Sequence, residues 1–199
     1  MKRIGLTGNI GSGKTLVSEI FKTLNVPVFN ADTEGRKLLD SSNIIRQLAQ
    51  IFGSGIILNE KIDRTKLASA VFSNPQLLQK LNSIIHPEVR KKFDNWAEAF
   101  TDCEYVIYEA AILFESGFYR KLDGTILITA PEEIRIERVM NRDHVSKDQV
   151  LARIKNQWPE DEKTKLANFL ISNDGKELLI PQVLLIHSKI RLKGSQSRF

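Results

Sequence analysis

The sequence predicts an α/β fold in which a parallel sheet is covered by helices on both faces. Short apolar segments, typical of buried strands, alternate along the chain with amphipathic helices. The stretch 32–100 departs from this alternation, because it has a helical signal throughout and no strand. We therefore expect one α/β domain with a helical insertion, and 199 residues are enough to bury a substantial core.

The strands are predicted from runs of apolar residues, and the helices from apolar periodicity and end signals. Pro27 cannot donate a ladder hydrogen bond, which argues against a central position for its strand. Strands are expected at 3–7, 26–29, 105–108, 124–129 and 168–172. Helices are expected at 14–24, from Pro131, at 147–156, at 160–167 and from about Gly175. In the first helix, the residues expected to face inward are Leu16, Val17, Ile20, Phe21 and Leu24.

The helical signal of the insertion is interrupted at 41–43, 53–55, 73–75 and 86–87, where we expect breaks between helices. The break at His86-Pro87 rests on proline, which ends or kinks helices. The structural interpretation of His86 is a histidine satisfied at such a break.

Composition limits the class of protein. The single cysteine, Cys103, excludes an internal disulfide or a cysteine zinc cluster, and no window approaches a membrane span. We expect a cytoplasmic protein without a membrane partner. The net charge of +5 suits an anionic ligand, but part of it lies in the tail 189–198, which we expect to be frayed and solvated.

The segment Gly8–Thr15 carries the most specific signal. It reads Gly-Asn-Ile-Gly-Ser-Gly-Lys-Thr and lies between an apolar strand and an amphipathic helix, the context that a phosphate loop requires. Glycines let successive N–H groups face a phosphate at the helix N-terminus. Lys14 is expected to reach the β- and γ-phosphates, and the Thr15 hydroxyl to ligate Mg²⁺. The motif predicts ATP with Mg²⁺ and a P-loop NTPase-like fold. The residues expected at the nucleotide are Gly8, Gly11, Ser12, Gly13, Lys14, Thr15 and Leu16.

Asp32 follows the second strand, at the sheet edge where parallel strands present their ligand crevice. There it is placed to accept a proton from an attacking hydroxyl. A helix N-cap is the alternative, and one residue can do both. Asp32 to Gly35 also resembles a GTPase switch, but it follows Lys14 too closely, and the sequence has no Asn-Lys-x-Asp motif.

Arginines follow the fourth strand. Arg135, Arg138 and Arg142 share one helix face, and Arg153 and Gln157 share a face of the next helix. Such residues suit a lid that clamps phosphate and excludes water. A solvated helix face is the alternative.

With these segments assembled, the chain resembles the dephospho-coenzyme A kinase family from end to end. The shared blocks, in order, are 5–8 and 10–14, 31–32, 52–53, 62–64, 67, 71–72, 84–87, 89–90, 113–115, 138, 142–143, 153, 157 and 171–173. The later blocks are more specific than the phosphate loop, which many families share.

The resemblance implies ATP-dependent phosphorylation of the ribose 3′-hydroxyl of dephospho-coenzyme A, the last step of coenzyme A synthesis. It implies a nucleotide core at 1–31, 101–137 and 168–199, a helical acceptor domain at 32–100 and a lid at 138–167. The implied catalytic residues are Asp32, Lys14, Arg138 and Arg142. Asn173 is implied near adenine, and the implied acceptor residues are Asp32, His86, Pro87, Arg64 and Arg90. The expected partners are the two small substrates, with no nucleic acid, and we expect a monomer.

The sequence departs from the family pattern at four places. Asn9 replaces the common glycine of the loop, Asn59-Glu60 replaces Asp-Gly, Ala111-Ile112-Leu113 replaces Pro-Leu-Leu, and Asn168 replaces aspartate. Three alternatives stay open: a kinase for another nucleotide or small alcohol, a nucleotide-gated binding protein, and nucleic-acid binding through the basic tail.

Overall fold

The computed structural model describes residues 1–72 and 74–192. The expected break at Ser73 and the tail residues 193–199 lie outside the described residues. Clustering of contacts divides the chain into two compact units. The first consists of Met1–Asn30 and the chain from Phe100 onward, and the second of Ala31–Ala99. Within the described part, no helix is both long and apolar enough to cross a membrane.

The helices and strands follow in chain order. They are β1 (Lys2–Gly8), α1 (Lys14–Thr23), β2 (Val28–Asn30), α2 (Ala31–Leu38), α3 (Ser42–Phe52), β3 (Ile57–Leu58), β4 (Lys61–Ile62), α4 (Arg64–Phe72), α5 (Pro75–Ala97), β5 (Tyr105–Glu109), β6 (Gly124–Thr129), α6 (Glu132–Asp143), α7 (Lys147–Ile154), α8 (Glu160–Leu166), β7 (Phe169–Ser172) and α9 (Leu179–Leu192).

The sheet of the first unit has the strand order β2-β5-β1-β6-β7, and every neighbouring pair is parallel. β1 is the central strand, so the segment that follows Gly8 begins in the middle of the row of strand carboxyl ends. β2 is an outer strand, and only Val28–Asn30 pair with β5. The outer position agrees with the argument from Pro27.

One face of this sheet packs against α1 and α9. Ile4 and Leu6 of β1 are fully buried there with Val17 and Phe21 of α1. α9 contributes Val183, Ile186 and Ile190. The prediction that Leu16 faces inward is wrong, because this side chain is 54% exposed. The buried positions of α1 are 17, 18 and 21, and Leu16 lies outside that stripe.

The opposite side of β5 is packed by aromatic residues. Tyr108 contacts Phe118 with ring centroids 4.7 Å apart and stacks on Phe29 at 5.9 Å. A separate apolar cluster forms where α6 and α7 meet, and it includes Ile10 of the phosphate loop. The other members of this cluster are Ile136, Val139, Met140, Val145, Val150, Leu151 and Ile154.

The second unit is helical except for one hairpin. α2 packs closely on α5, since a Cβ added at Gly35 would lie 3.5 Å from Ile85. The prediction of a strand-free insertion is wrong, because β3 and β4 pair antiparallel. Their two-residue turn, Asn59-Glu60, has φ angles of 50° and 62°, the left-handed backbone that tight hairpin turns require. Strands of two residues are too short to produce a period-2 pattern.

The predicted helix break at His86-Pro87 is also wrong, because α5 runs from Pro75 to Ala97 with Pro87 inside it. Proline removes the bond to the carbonyl of residue 83 but leaves the rest of the helix intact. Val89, Phe93 and Ala97 are buried beyond it. This apolar stripe stabilises the second half of the helix, so tertiary packing overrides the local signal.

Three predicted element ends differ from the structure. α9 begins at Leu179 instead of Gly175, because Asp174 accepts hydrogen bonds from the N–H groups of 176 and 177 and forms a turn first. α7 ends at Ile154, so Gln157 lies in the following turn and not on that helix. The expectation of a frayed tail is wrong for 189–192, since α9 continues to Leu192 and Arg191 pairs with Glu104.

Candidate active site

The loop Gly8–Thr15 connects the end of central strand β1 to the start of α1. Gly11 and Gly13 have φ angles of 80° and 97°, in the left-handed region that only glycine adopts readily. A Cβ added at Gly11 would lie 2.4 Å from the carbonyl oxygen of Arg135, and one at Gly13 would lie 2.2 Å from Asn173 Nδ2. These two glycines are therefore required by backbone angle and by space.

Polar contacts fix the path of this loop. Ser12 N donates to Asn9 O at 3.0 Å, and Lys14 Nζ donates to Gly8 O at 2.8 Å. The Ser12 hydroxyl is buried and has no partner among the described residues. Within the same part of the chain, no side chain caps α1, and its first turn has no acidic residue. The positive end of this helix is thus available to an anion.

Asn173, the residue directly after β7, supports the loop. Its Nδ2 donates to Ser12 O at 2.8 Å in a buried hydrogen bond, and its Oδ1 accepts one from Arg138 at 3.4 Å. The structure therefore brings two predicted site residues, Arg138 and Asn173, to the back of the phosphate loop. A contact of Asn173 with adenine stays a prediction.

Glu109, at the end of β5, is a functional candidate that the sequence analysis missed. Its buried Oε2 accepts hydrogen bonds from Ser18 at 3.0 Å and from Asn30 at 2.9 Å. Ser18 lies one turn after Thr15 on α1, so the carboxylate lies beside the start of this helix. An acidic residue at the end of the predicted strand 105–108 was the signal that could have found it.

Thr15 carries a hydroxyl oxygen and Glu109 carries carboxylate oxygens, and these are the hard donors that Mg²⁺ prefers. In residues 1–72 and 74–192, no cluster of three or more His, Cys, Asp or Glu side chains could hold a metal. This donor set fits Mg²⁺ that is bound mainly through substrate phosphates, as is usual for kinases.

The arginines of α6 differ in environment. Arg135 is only 4% exposed, and its Nε donates to Ala130 O at 3.0 Å, so it supports the fold beneath the loop. Arg138 is half-buried, and its NH1 is buried without a partner among the described residues. Arg142 is exposed. The NH1 atom of Arg135 is likewise buried without a partner among the described residues, so both Arg135 and Arg138 have unused donor capacity.

Arg142 and Arg153 are brought together by a shared carboxylate. Asp143 accepts two hydrogen bonds from Arg142, at 2.8 and 3.1 Å, and one from Arg153 at 2.7 Å. These hydrogen bonds, first of all from Arg142, lower the pKa of Asp143 to about 2. One carboxylate therefore offsets the repulsion between the guanidinium groups of Arg142 and Arg153. A lid formed by these two helices stays a prediction.

In the second unit, Asp32 is the second residue of α2, within its first turn and not at the N-cap position. The pKa of His86, on α5, is lowered mainly by burial and then by the positive charge of Arg90. The negative charge of Asp32 opposes this shift. Arg64 lies apart from this group, because it pairs with Asp40 at 2.9 Å beyond the opposite end of α2. The structure thus groups Asp32, His86 and Arg90 but not Arg64.

Known proteins are similar to this chain in sequence and in fold. A family model described as dephospho-CoA kinase matches residues 2–178. The chain belongs to the dephospho-CoA kinase family. Membership of this family, with the parallel sheet covered by helices, confirms the predicted P-loop NTPase-like fold and the predicted kinase class.

A curated relative and two solved structures match this chain over almost its full length. A dephospho-CoA kinase from Porphyromonas gingivalis is 42% identical over 197 residues, which cover 97% of this chain and 96% of the relative. The crystal structure of TT1252 from Thermus thermophilus superposes with a TM-score of 0.83 at 34% identity, and 98% of each chain is covered. The dephospho-CoA kinase from Campylobacter jejuni gives a TM-score of 0.69 at 30% identity, with 98% of each chain covered.

Two departures from the family pattern have a structural explanation. Asn9 does not have a positive φ, so the loop does not need glycine there, and the Asn9 amide oxygen accepts a hydrogen bond from Lys163 at 2.6 Å. Asn168 Oδ1 accepts hydrogen bonds from Thr125 N at 2.8 Å and Thr125 Oγ1 at 3.1 Å. That position therefore needs an acceptor oxygen and not a negative charge.

Proposed function

We propose that this protein transfers the γ-phosphoryl group of ATP to the ribose 3′-hydroxyl of dephospho-coenzyme A, giving coenzyme A and ADP. The observation that carries the proposal is the match of residues 2–178 to the dephospho-CoA kinase family. The described phosphate loop supplies the donor side of such a reaction.

On the donor side, the backbone N–H groups of the loop and the N-terminus of α1 hold the phosphates of ATP. Lys14 Nζ exchanges its hydrogen bond to Gly8 O for the β- and γ-phosphate oxygens. The Thr15 hydroxyl and the Glu109 carboxylate would hold Mg²⁺, which would supply charge neutralisation on the phosphates. Leu16, which is exposed beside Thr15, contacts the nucleotide, and Asn173 lies near adenine.

On the acceptor side, the 32–100 domain binds dephospho-coenzyme A. His86 and Pro87 shape its pocket, Arg90 attracts its phosphate groups, and Asp32 orients the 3′-hydroxyl. The grouping of Asp32 with His86 and Arg90 supports these roles. Arg64 is the least supported acceptor residue, because its guanidinium group already pairs with Asp40.

The reaction forms a bond between the 3′-oxygen and the γ-phosphorus and breaks the bond from that phosphorus to the β–γ bridging oxygen. The hydroxyl proton passes to the Asp32 carboxylate. Phosphoryl transfer requires little covalent work from the protein, so alignment and charge stabilisation dominate. Arg138 and Arg142, from the 138–167 lid, stabilise the charge on the transferring group and on the ADP that leaves.

The test is ADP release by the full chain with ATP, in the presence and absence of dephospho-coenzyme A, with product mass measured. The expected product is heavier by one phosphate and carries it on the 3′-oxygen. Nucleoside monophosphates and simple alcohols are offered in parallel. Phosphorylation of one of these instead would identify another small-molecule kinase, and ATPase activity that needs a protein partner would contradict the proposal.

We also propose that the protein acts as a cytoplasmic monomer on these two small molecules, without nucleic acid or membrane. Gel filtration with light scattering tests the monomer. A steeply salt-dependent affinity for nucleic acid that is lost on deletion of 189–199 would contradict the proposed absence of that partner.

A further inference from the structure

The segment 157–163, between α7 and the middle of α8, is tied to the phosphate loop by side-chain hydrogen bonds. Gln157 Oε1 accepts from Ile10 N at 2.7 Å, and Gln157 Nε2 donates to Ala111 O at 3.2 Å. One amide therefore joins the loop after β1 to the segment after β5. The N–H of Ile10 is bound to protein and is not offered to a phosphate.

Lys163 makes the second connection, and it is the most unusual side chain in this region. It is 0% exposed, and its ammonium group lies 2.6 Å from Asn9 Oδ1 and 2.6 Å from Glu115 Oε1. The same Glu115 oxygen accepts from Trp158 N at 3.0 Å. Burial lowers the pKa of Lys163, and the hydrogen bond from its ammonium group to Glu115 opposes that effect.

A fully buried ammonium group is tolerated only when it is paired and hydrogen-bonded. Glu115 provides the charge, and Asn9 provides a second acceptor that glycine at this loop position could not provide. The pairing is therefore built partly from a residue of the loop itself, and any displacement of Asn9 leaves Lys163 with one acceptor fewer.

We propose that Lys163, Asn9, Glu115 and Gln157 form a loop anchor that holds the phosphate loop in the conformation that binds ATP. They are positioning residues, since they act through the loop backbone and not on the reacting atoms. Residues 157–163 then belong to a fixed base of the lid.

The loop anchor determines what fraction of the protein has a binding-competent loop. If the fraction falls, the apparent dissociation constant of ATP rises in inverse proportion. Saturating ATP restores the competent conformation, so kcat changes little. The inference deepens the proposed function, but ATP binding alone tests it without an acceptor.

The experiment compares three variants of the full chain. Asn9→Ala removes one acceptor and leaves the Lys163–Glu115 pair, so it retains the fold. The double variant Lys163→Met/Glu115→Gln removes both charges together and leaves no unpaired buried ion. Lys165→Met, on the exposed side of the same helix, is the matched control.

ATP affinity is measured by calorimetry without an acceptor, and melting temperature and steady-state kinetics are measured alongside. Asn9→Ala is expected to weaken ATP binding about tenfold, equivalent to about 1.4 kcal/mol, and the double variant at least as much. The KM for ATP rises in parallel, while kcat and the acceptor KM stay within about twofold of wild type. Lys165→Met changes none of these values.

Unchanged ATP affinity in folded Asn9→Ala overturns the loop anchor, even if its melting temperature falls, because the contacts would then be structural only. If the double variant does not fold, Asn9→Ala decides the question. Wild-type protein that binds ATP but fails to phosphorylate dephospho-coenzyme A contradicts the proposed function and leaves the anchor measurement valid.

Discussion

Replacement of Gly13 by alanine tests whether the phosphate loop depends on the close approach of Asn173. The new Cβ would lie 2.2 Å from Asn173 Nδ2, so one group must move by about 1 Å to reach ordinary contact. The movement breaks the 2.8 Å bond from Asn173 to Ser12 O. An unpaired buried carbonyl costs about 1–3 kcal/mol, and the left-handed backbone costs about 1–2 kcal/mol more.

Gly117→Ala is the matched control, because Gly117 also has a positive φ, of 69°, but no described atom lies within 4 Å of an added Cβ. Gly117→Ala therefore carries only the cost of the left-handed backbone. Alanine also lowers the conformational entropy of the unfolded chain, which offsets that cost by about 0.4–1 kcal/mol. The difference in unfolding free energy between the two variants, about 1–3 kcal/mol, isolates the contact with Asn173.

Urea denaturation gives both unfolding free energies, and initial rates give kcat/KM for ATP. Since a misplacement of about 1 Å at a reacting site reduces rates about 100-fold, Gly13→Ala is expected to lose at least that factor, while Gly117→Ala keeps wild-type kinetics. Equal destabilisation by the two variants, or ATP kinetics unchanged in Gly13→Ala, would refute the reasoning. Addition of Asn173→Ala to Gly13→Ala is expected to cost little further stability, because Gly13→Ala has already broken the hydrogen bond from Asn173 to Ser12 O.

Three further predictions concern single side chains. Lys14→Ala is expected to lower kcat/KM for ATP by at least about 100-fold, because a positioned phosphate ligand is lost; Lys22→Ala, exposed on the same helix, should leave it unchanged. Asp32→Asn is expected to lower kcat by at least about 100-fold in a coupled ADP assay, because the proton acceptor is lost; near-normal kcat would leave Asp32 without a role in the chemistry. The pKa of His86 is lowered from 6.5 by burial, so its contribution to stability is present above about pH 6.5 and lost as pH falls through that value towards the lowered pKa. Urea midpoints at pH 7.5 and 5.5 should therefore differ less in His86→Gln than in wild type, with His187 retained in both, and an equal difference would count against this assignment.

The nucleotide half of the molecule was accessible from sequence because its signals are local. Strand, glycines, lysine and helix follow one another within residues 2–23, so the order of residue types alone identifies the loop. The second unit, Ala31–Ala99, was harder to predict. The β3–β4 hairpin has two residues per strand, which is too few for a periodic pattern, and Pro87 lies inside α5 because buried residues on later turns stabilise the helix.

The residues that support the candidate site could not be identified from the local sequence either. The side chains of Glu109, Gln157 and Lys163 bind partners that lie 46 to 154 residues away in the sequence. Gln157 binds backbone atoms, which every residue type carries. No spacing rule connects Asn9 to Lys163, which form a hydrogen bond. A lysine in the acidic first turn of a helix predicts a solvated side chain, but Lys163 is fully buried.

The sequence by itself determined the α/β class, the phosphate loop and the family, since each depends on residue types in a short order along the chain. Only the tertiary structure decided that Leu16 is exposed, that Arg135 is buried while Arg142 is solvated, and that Asn9 has a charged partner. The physical reason is that burial and pairing depend on which distant segments the sheet order β2-β5-β1-β6-β7 brings together, and desolvation acts on that arrangement and not on the order of residues.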